Sequence, residues 1–193
     1  MVGARPVEIA AVVLGLINVA LIIRRTVWNY PFGLAMVVLY AWIFYDYRLY
    51  SEALLQVYYV AIQLYGWWYW LRGRGDDGLV IVRRLPVSHW PWYALGGLAG
   101  VAALGTAMDR WTDAASPYWD GTIAVLSVLA QFLLSRRQLE SWVLWIAVDV
   151  LAIGLFLTRE LYPTAALYAV FLLLAVAGLA AWTRAFRRHE APA

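Results

Sequence analysis

The sequence predicts an all-α membrane protein with seven transmembrane helices, on three observations: its composition, the spacing of its apolar stretches and its one-sided arginines. Of 193 residues, 64% are hydrophobic and 14% are charged, whereas soluble domains have roughly 45–50% and about 25%. A soluble fold of this length could not keep that much apolar surface away from water. The chain is therefore expected to lie in a lipid bilayer.

Seven apolar stretches follow one another, each about long enough to cross the hydrocarbon core of a bilayer. Lipid cannot satisfy backbone N–H and C=O groups, and strand-like alternation is absent from these stretches, so each is expected to be helical. The predicted spans cover residues 7–23, 31–47, 52–71, 91–108, 121–135, 141–157 and 163–183. Short polar connections separate most of them.

Individual features support these spans in turn. Span one lacks the small-residue cleavage site of a signal peptide, so we expect it to remain as a helix. Span two lies between Arg25 and Arg48, and span three ends on the aromatic run 66–70, which suits the membrane interface. Span four is rich in glycine, which permits close helix packing within or between protomers. Span five follows the aromatic segment 117–120, span six holds Asp149, and span seven is nearly all Ala, Leu and Val.

The arginines set the orientation. All fifteen basic residues are Arg. Eleven fall on one side of the predicted membrane, namely Arg24, Arg25, Arg72, Arg74, Arg83, Arg84, Arg136, Arg137, Arg184, Arg187 and Arg188, and four on the other, namely Arg5, Arg48, Arg110 and Arg159. Because cytoplasmic loops carry the excess of positive charge, the amino terminus is predicted outside and the carboxyl terminus in the cytoplasm. This bias explains the net charge of +3 without nucleic-acid binding.

Missing residue types exclude several function classes. Without lysine there is no Schiff base and hence no retinal photoreceptor, and without cysteine there is no disulfide, thiol nucleophile or Cys-based metal site. The longest connection, 72–90, contains Gly73, Gly75 and Gly78, but no Lys follows them as in a phosphate-binding loop. We therefore predict neither a cofactor nor a metal ion, and we interpret the connection as a cytoplasmic linker.

The chain contains an internal repeat with an offset of 112 residues, which aligns spans one to three with spans five to seven. The most specific matches are Arg24-Arg25 with Arg136-Arg137, Leu49-Tyr50 with Leu161-Tyr162, and Gly66, Trp70 and Arg72 with Gly178, Trp182 and Arg184. Because a single span separates the halves, both enter the membrane in the same sense. The predicted fold is two parallel three-helix repeats joined by a linker helix (3+1+3).

This arrangement divides the chain into three parts. Residues 1–72 form the first bundle, 73–110 the cytoplasmic linker with helix four, and 111–193 the second bundle with a basic cytoplasmic tail. Internal repeats of this kind are typical of transporters, in which the substrate lies between the halves near the bilayer midplane. The pattern favours transport, but it does not name the substrate.

The strongest candidate site residue is Asp149, about two turns into span six. A carboxylate near the bilayer centre costs roughly 2.5–3.5 kcal/mol on insertion scales, so it requires an explanation. Trp142 and Trp145 precede it by seven and four residues, which places both indoles and the carboxylate on one helical face. Aromatic rings beside a carboxylate attract an organic cation. The alternatives are a helix-packing hydrogen bond for Asp149 and interfacial anchoring for the tryptophans.

Other polar residues complete the candidate site. Gln131 lies late in span five, and Gln56 shares a broad face of span three with Tyr59, from which both could reach ribose or amide groups. Hydrogen bonding between helices, without a ligand, is the alternative for each glutamine. In span seven, Tyr168 is the one plausible ligand contact.

Both ends of span five carry further candidates. Tyr118, Trp119 and Asp120 form a candidate gate or outer vestibule. A simpler interpretation makes Asp120 a helix cap and Trp119 part of the interfacial aromatic belt. On the cytoplasmic side, Glu140 could pair with Arg136 or Arg137 across a short loop.

The sequence resembles the PnuC-type vitamin transporters, the family that takes up nicotinamide riboside. The resemblance extends from about Trp28 to Trp182. Its most specific pieces are WNYPFG at 28–33, QVYYVAIQLYGWWYW at 56–70, YWDGTIAVLSVLAQFLLSRRQLESWVLW at 118–145, and Asp149. The Trp142-x-x-Trp145 motif stands as the family has it, and the order Gln131, Glu140, Trp142 also agrees.

The resemblance implies two three-helix bundles joined by the fourth span, in a bacterial inner membrane, and it admits a homotrimer. It also implies facilitated diffusion of a small vitamin, which a separate cytoplasmic kinase then traps by phosphorylation. Nicotinamide riboside carries a pyridinium charge, a carboxamide and ribose hydroxyls, which suit Trp142, Trp145, Asp149 and the glutamines. Thiamine would suit much the same residues, and relatives take thiamine or riboflavin, so the cargo stays open. An intramembrane enzyme is a distant alternative, because Asp76-Asp77 is the only adjacent acidic pair and lies in a glycine-rich loop.

Overall fold

Seven α-helices make up nearly all the regular structure of residues 6–48 and 50–190, the part of the chain that the computed structural model describes. They are α1 (Pro6–Ile23), α2 (Asn29–Asp46), α3 (Tyr50–Leu71), α4 (Trp90–Trp111), α5 (Pro117–Ser135), α6 (Glu140–Thr158) and α7 (Tyr162–Glu190). A short 3-10 turn, Val87–His89, precedes α4. Arg5 and Leu49, which entered the orientation and repeat arguments, lie outside the described residues.

The all-α class is confirmed, and each predicted span coincides with one helix. The ends agree within four residues everywhere except at the end of α7, which reaches Glu190, seven residues beyond the predicted position 183. Hydropathy falls after Trp182, but the arginines that follow are good helix formers. Their positive charge near the carboxyl end also suits the helix dipole.

Three of these helices are long and apolar enough to cross a membrane by length and composition alone. They are Pro117–Ser135, Glu140–Thr158 and Tyr162–His189, and α1 adds a shorter apolar stretch, Ile9–Ile23.

The chain divides into two compact units. The first contains α1 to α3, residues 135–137, which are the last residue of α5 and the two that follow it, and the last residues of α7. The second contains α4, most of α5, α6 and most of α7.

The first unit has an aromatic core around Trp70, which is fully buried in α3. The Tyr30 ring meets Trp70 edge-on, with centroids 5.4 Å apart and an interplanar angle of 89°. Gly66 makes this approach possible, because a Cβ there would lie 2.6 Å from the Tyr30 hydroxyl oxygen. The absence of a side chain at position 66 thus lets α2 and α3 pack closely.

The second unit repeats this arrangement at positions 112 residues later. Trp182 is fully buried in α7, and the Trp142 ring meets it edge-on at 5.6 Å and 85°. A Cβ on Gly178 would lie 2.6 Å from three carbons of the Trp142 ring. Glycine is therefore required beneath this ring as well.

In the part of the chain that the structure describes, four non-glycine residues have left-handed backbone conformations, and they form two pairs with the same offset of 112. Arg25 and Arg137 have φ of 58° and 64°, and Arg48 and Glu160 have φ of 60° and 57°. Each closes a helix at its carboxyl end, where a left-handed residue lets the next N–H groups reach back to free carbonyls. After Arg137, for example, the Gln138 N–H donates to the Leu133 carbonyl at 3.0 Å.

Candidate functional site

Asp149 lies in the middle of α6 and is 4% exposed. Trp142 and Trp145 lie on the same helix, two turns and one turn before it, as the sequence predicts. Trp142 is buried, whereas Trp145 is half-buried and offers more of its ring.

Among the side chains and backbone groups that the structure describes, the Asp149 carboxylate has no hydrogen-bond donor or cation as a partner. Buried carboxylates are normally paired or hydrogen-bonded, because an uncompensated negative charge in an apolar environment is costly. The alternative role for Asp149, a hydrogen bond that packs α6 against another helix, is therefore not seen with the described part of the chain.

The Trp142 ring is packed in the core, but its indole N–H has no hydrogen-bond partner in the described residues. Its ring packs on Gly178 and Trp182, so most of its surface is core packing. Its indole N–H, however, is buried and donates to no acceptor in the described residues. An unsatisfied buried donor is uncommon, and it lies on the helix that carries Asp149. A binding role for Trp142 stays a prediction. Because the rest of the ring is packed in the core, the indole N–H is the part of the side chain available for such a role.

Gln131 and Tyr168 complete the candidates of the second unit. Gln131 is half-buried on α5. Tyr168 is half-buried on α7, where its ring packs against Phe156 with centroids 5.2 Å apart and against Phe171 at 6.0 Å. These neighbours hold the Tyr168 ring in a mainly aromatic setting.

Gln56 and Tyr59 belong to the first unit, on α3. Gln56 is buried and Tyr59 is half-buried, and both have interaction partners in the protein. The Tyr59 ring meets that of Tyr58 at 5.5 Å. The two residues lie three positions apart and share the face that the sequence predicted.

The first unit also contains a buried amide that the sequence analysis did not select. Asn18 on α1 donates through Nδ2 to the Asn29 carbonyl at 2.6 Å. Gly33 lies between the amides of Asn18 and Gln63, since a Cβ there would be 2.6 Å from Asn18 Nδ2 and 2.5 Å from Gln63 Oε1. An asparagine within an apolar span was the available signal for this polar cluster.

The candidate gate residues make defined contacts at the start of α5. The Tyr118 ring packs on Gly105, and its hydroxyl lies 3.3 Å from Thr106 Oγ1. The Trp119 indole N–H donates to the Leu151 carbonyl at 3.0 Å. Asp120 lies in the first turn rather than before it, so it does not occupy the cap position.

Asp120 instead forms an ion pair, in which Arg159 Nη2 donates to Asp120 Oδ2 at 3.2 Å. Glu140 also has a partner that the sequence did not suggest: its carboxylate binds Arg84 Nε at 3.0 Å and the Leu85 N–H at 2.8 Å. Both ion pairs join residues far apart in sequence.

Comparison with known proteins decides the family. A sequence model of the nicotinamide mononucleotide transporter family matches residues 5–184. The chain belongs to this family. The resemblance to PnuC-type transporters is thereby confirmed.

Individual relatives agree with this family. The nicotinamide riboside transporter PnuC of Escherichia coli is 28% identical over 95% of this chain and 87% of its own length. The riboflavin/roseoflavin transporter RibM of Streptomyces davaonensis is 29% identical over 93% of this chain and 85% of its own. A crystal structure of the vitamin B3 transporter PnuC superposes with a TM-score of 0.75 at 30% identity, over 95% of this chain and 83% of that one. Members of the family are transporters, so this chain is a multi-pass membrane transporter and not an enzyme.

Proposed function

We propose that this transporter takes up nicotinamide riboside by facilitated diffusion across a bacterial inner membrane. The name of the Escherichia coli relative, a nicotinamide riboside transporter, supports this cargo. The solved structure is that of a vitamin B3 transporter, which agrees with it. The observation that carries the proposal is the buried Asp149 carboxylate, without a partner in the described residues, on the α6 face that also holds Trp142 and Trp145.

A cationic aromatic ligand would compensate this arrangement. The pyridinium ring of nicotinamide riboside carries a fixed positive charge, which would pair with Asp149. The half-buried ring of Trp145 suits cation–π contact or stacking with the pyridinium ring. The unsatisfied Trp142 indole N–H could donate to the carboxamide oxygen or to a ribose hydroxyl.

The same site disfavours the phosphorylated product. Nicotinamide mononucleotide carries a phosphate, and α6 contains no basic residue to receive it. A phosphate near Asp149 would meet like charge in a low-dielectric setting. Phosphorylation by a cytoplasmic kinase would therefore trap the vitamin inside and make an uncoupled carrier unidirectional.

We propose the 3+1+3 arrangement together with this mechanism. It comprises a first bundle over 1–72, a linker with helix four over 73–110, and a second bundle over 111–193. The recurring aromatic packing and the left-handed pairs at an offset of 112 residues support a duplication. An external amino terminus, a cytoplasmic carboxyl terminus and a homotrimer remain proposals with it.

Riboflavin is the second candidate cargo, because the RibM relative resembles this chain over nearly its whole length. The riboflavin ring system carries no fixed positive charge, so it gives Asp149 no counter-charge. Thiamine, with its cationic thiazolium ring, does. We therefore place nicotinamide riboside first and thiamine, the other cation, among the competitors to test.

The cargo is tested by uptake of labelled nicotinamide riboside into liposomes that contain the purified protein. Unlabelled nicotinamide riboside, thiamine and riboflavin are added in turn as competitors. We expect nicotinamide riboside to compete best. A stronger effect of riboflavin or thiamine would reassign the cargo within the family, and the absence of entry would contradict the proposal.

A further inference from the structure

The turn between α5 and α6 is buried, although helix connections normally lie on the surface. Every residue from 133 to 142 is buried except Arg136. The buried stretch includes two residues of opposite charge, Arg137 and Glu140. Both come shortly before Trp142, the first residue of the candidate binding face of α6. Each binds the 73–85 segment of the α3–α4 connection, which we call the strap.

Arg137 holds the first part of the strap. Its Nη1 donates to the Gly73 carbonyl at 2.9 Å and to the Ile81 carbonyl at 3.5 Å, and its guanidinium lies 4.6 Å from the centre of the Tyr69 ring. The guanidinium occupies the position where a Cβ of Gly73 would be. A side chain at position 73 would therefore force the Arg137 guanidinium to move from its present position.

Glu140 holds the last part of the strap. Its two carboxylate oxygens accept hydrogen bonds from Arg84 Nε at 3.0 Å and from the Leu85 N–H at 2.8 Å. The Leu139 N–H donates to the Arg83 carbonyl at 2.9 Å. Glu140 is 7% exposed, so these charge-assisted bonds are largely shielded from water.

The equivalent turn in the first half is not enclosed in this way. Arg25, the counterpart of Arg137, also binds the strap: it donates to the Val80 carbonyl at 3.1 Å and accepts from the Val80 N–H at 2.9 Å. Thr26 and Val27, however, are only half-buried, and Trp28 is exposed. Of these two equivalent turns, only the one that leads into α6 is buried.

We propose that Glu140 and Arg137 are positioning residues for substrate binding, which they support by fixing the first turn of α6. Glu140 is the first residue of α6 and lies two positions before Trp142. A shift or rotation of this turn would move Trp142, Trp145 and Asp149 together, because all three lie on one rigid helix. The inference rests on the proposed function, in which that face recognises the vitamin.

The test is the dissociation constant (Kd) of the purified full-length protein for nicotinamide riboside, measured by titration calorimetry with the number of binding sites. Glu140→Ala leaves the Leu85 N–H buried without its acceptor, and we expect about tenfold weaker binding. Glu140→Gln keeps an oxygen for that N–H, so its Kd should lie between those of the wild type and Glu140→Ala. A purely structural role would reduce the number of functional sites and leave Kd unchanged.

A second pair of variants tests the Arg137 end of the strap without altering α6. Gly73→Ala introduces a methyl group where the Arg137 guanidinium lies. Gly75→Ala is the matched control, since the atom nearest to its added Cβ is Asp77 Oδ1 at 3.2 Å and Arg137 is not among its three nearest atoms. We expect Gly73→Ala, but not Gly75→Ala, to weaken binding severalfold.

Wild-type Kd values for both Glu140→Ala and Gly73→Ala would overturn the inference. If the wild-type protein binds thiamine or riboflavin and not nicotinamide riboside, the same variants are compared with that vitamin. Failure of the cargo assignment is then distinguished from failure of the positioning role.

Discussion

Asp149 is buried in the apolar middle of α6, with no partner in the described residues. Such a group destabilises the ligand-free protein, because its charge is removed from water without compensation. Binding sites often contain groups that lower the stability of the folded protein but are needed for function. Stability and affinity should therefore respond in opposite directions when the charge is removed.

We predict that Asp149→Asn raises the thermal midpoint of the ligand-free protein and weakens binding of nicotinamide riboside. A gain of about 1 kcal/mol corresponds to roughly 2–4 °C for a chain of this length. Loss of the buried charge pair with the ligand should cost about 2 kcal/mol or more, which is at least about thirtyfold in Kd. Thermal unfolding in detergent and titration calorimetry measure the two effects.

Asp113→Asn is the control, because it removes the same charge from an exposed loop position. It should change neither the midpoint nor Kd. If Asp149→Asn lowered the midpoint and left Kd at the wild-type value, Asp149 would be a structural residue.

At the residue scale, the sequence predicts which side chains share a helical face, but it does not predict which distant residues they contact. The face of Trp142, Trp145 and Asp149 follows from helical spacing alone. The packing of Trp142 on Gly178 and the pairing of Glu140 with Arg84 join residues 36 and 56 positions apart. No local pattern reports contacts of that range, and the short loop beside Glu140 suggested nearer partners.

Contacts between glycines and aromatic rings, such as Gly66 with Tyr30 and Gly178 with Trp142, determine how closely the helices approach. We predict that Gly178→Ala lowers the free energy of unfolding by about 1–3 kcal/mol, because the added methyl group must displace the Trp142 ring. Gly96→Ala provides the matched control, since no neighbouring atom lies within 4 Å of its added Cβ. It should be neutral or stabilising by up to about 1 kcal/mol, because alanine favours the helix.

Thermal unfolding of the two variants in one detergent tests this prediction. Equal midpoints for Gly178→Ala and Gly96→Ala would show that the Trp142 ring moves aside at no cost. The close packing of α6 and α7 would then not depend on glycine.

At the element scale, the helices could be predicted and the strap could not. Hydropathy is a local property, and backbone satisfaction in lipid requires helices, so the seven elements follow from composition along the chain. The strap has no regular structure beyond isolated bridges such as Arg74 with Val80. Its conformation depends on Arg25, Arg137 and Glu140, which come from other parts of the sequence.

For the whole molecule, the absence of cysteine makes orientation directly testable. We predict that an impermeant maleimide labels Thr112→Cys in intact cells and does not label Asp77→Cys until the membrane is permeabilised. Both positions are exposed, and they lie in connections predicted on opposite sides of the membrane. Labelling of Asp77→Cys alone in intact cells would reverse the proposed orientation.

The central claim is that the protein carries nicotinamide riboside passively. The most direct measurement is the final concentration of labelled vitamin inside liposomes that contain only this protein, with and without proton or sodium gradients. With the membrane potential held at zero, so that the charge of the vitamin does not drive its distribution, facilitated diffusion predicts equal internal and external concentrations in every condition. Asp149→Asn should reach them much more slowly. No entry, or accumulation above the external concentration when a gradient is imposed at zero membrane potential, would contradict the account.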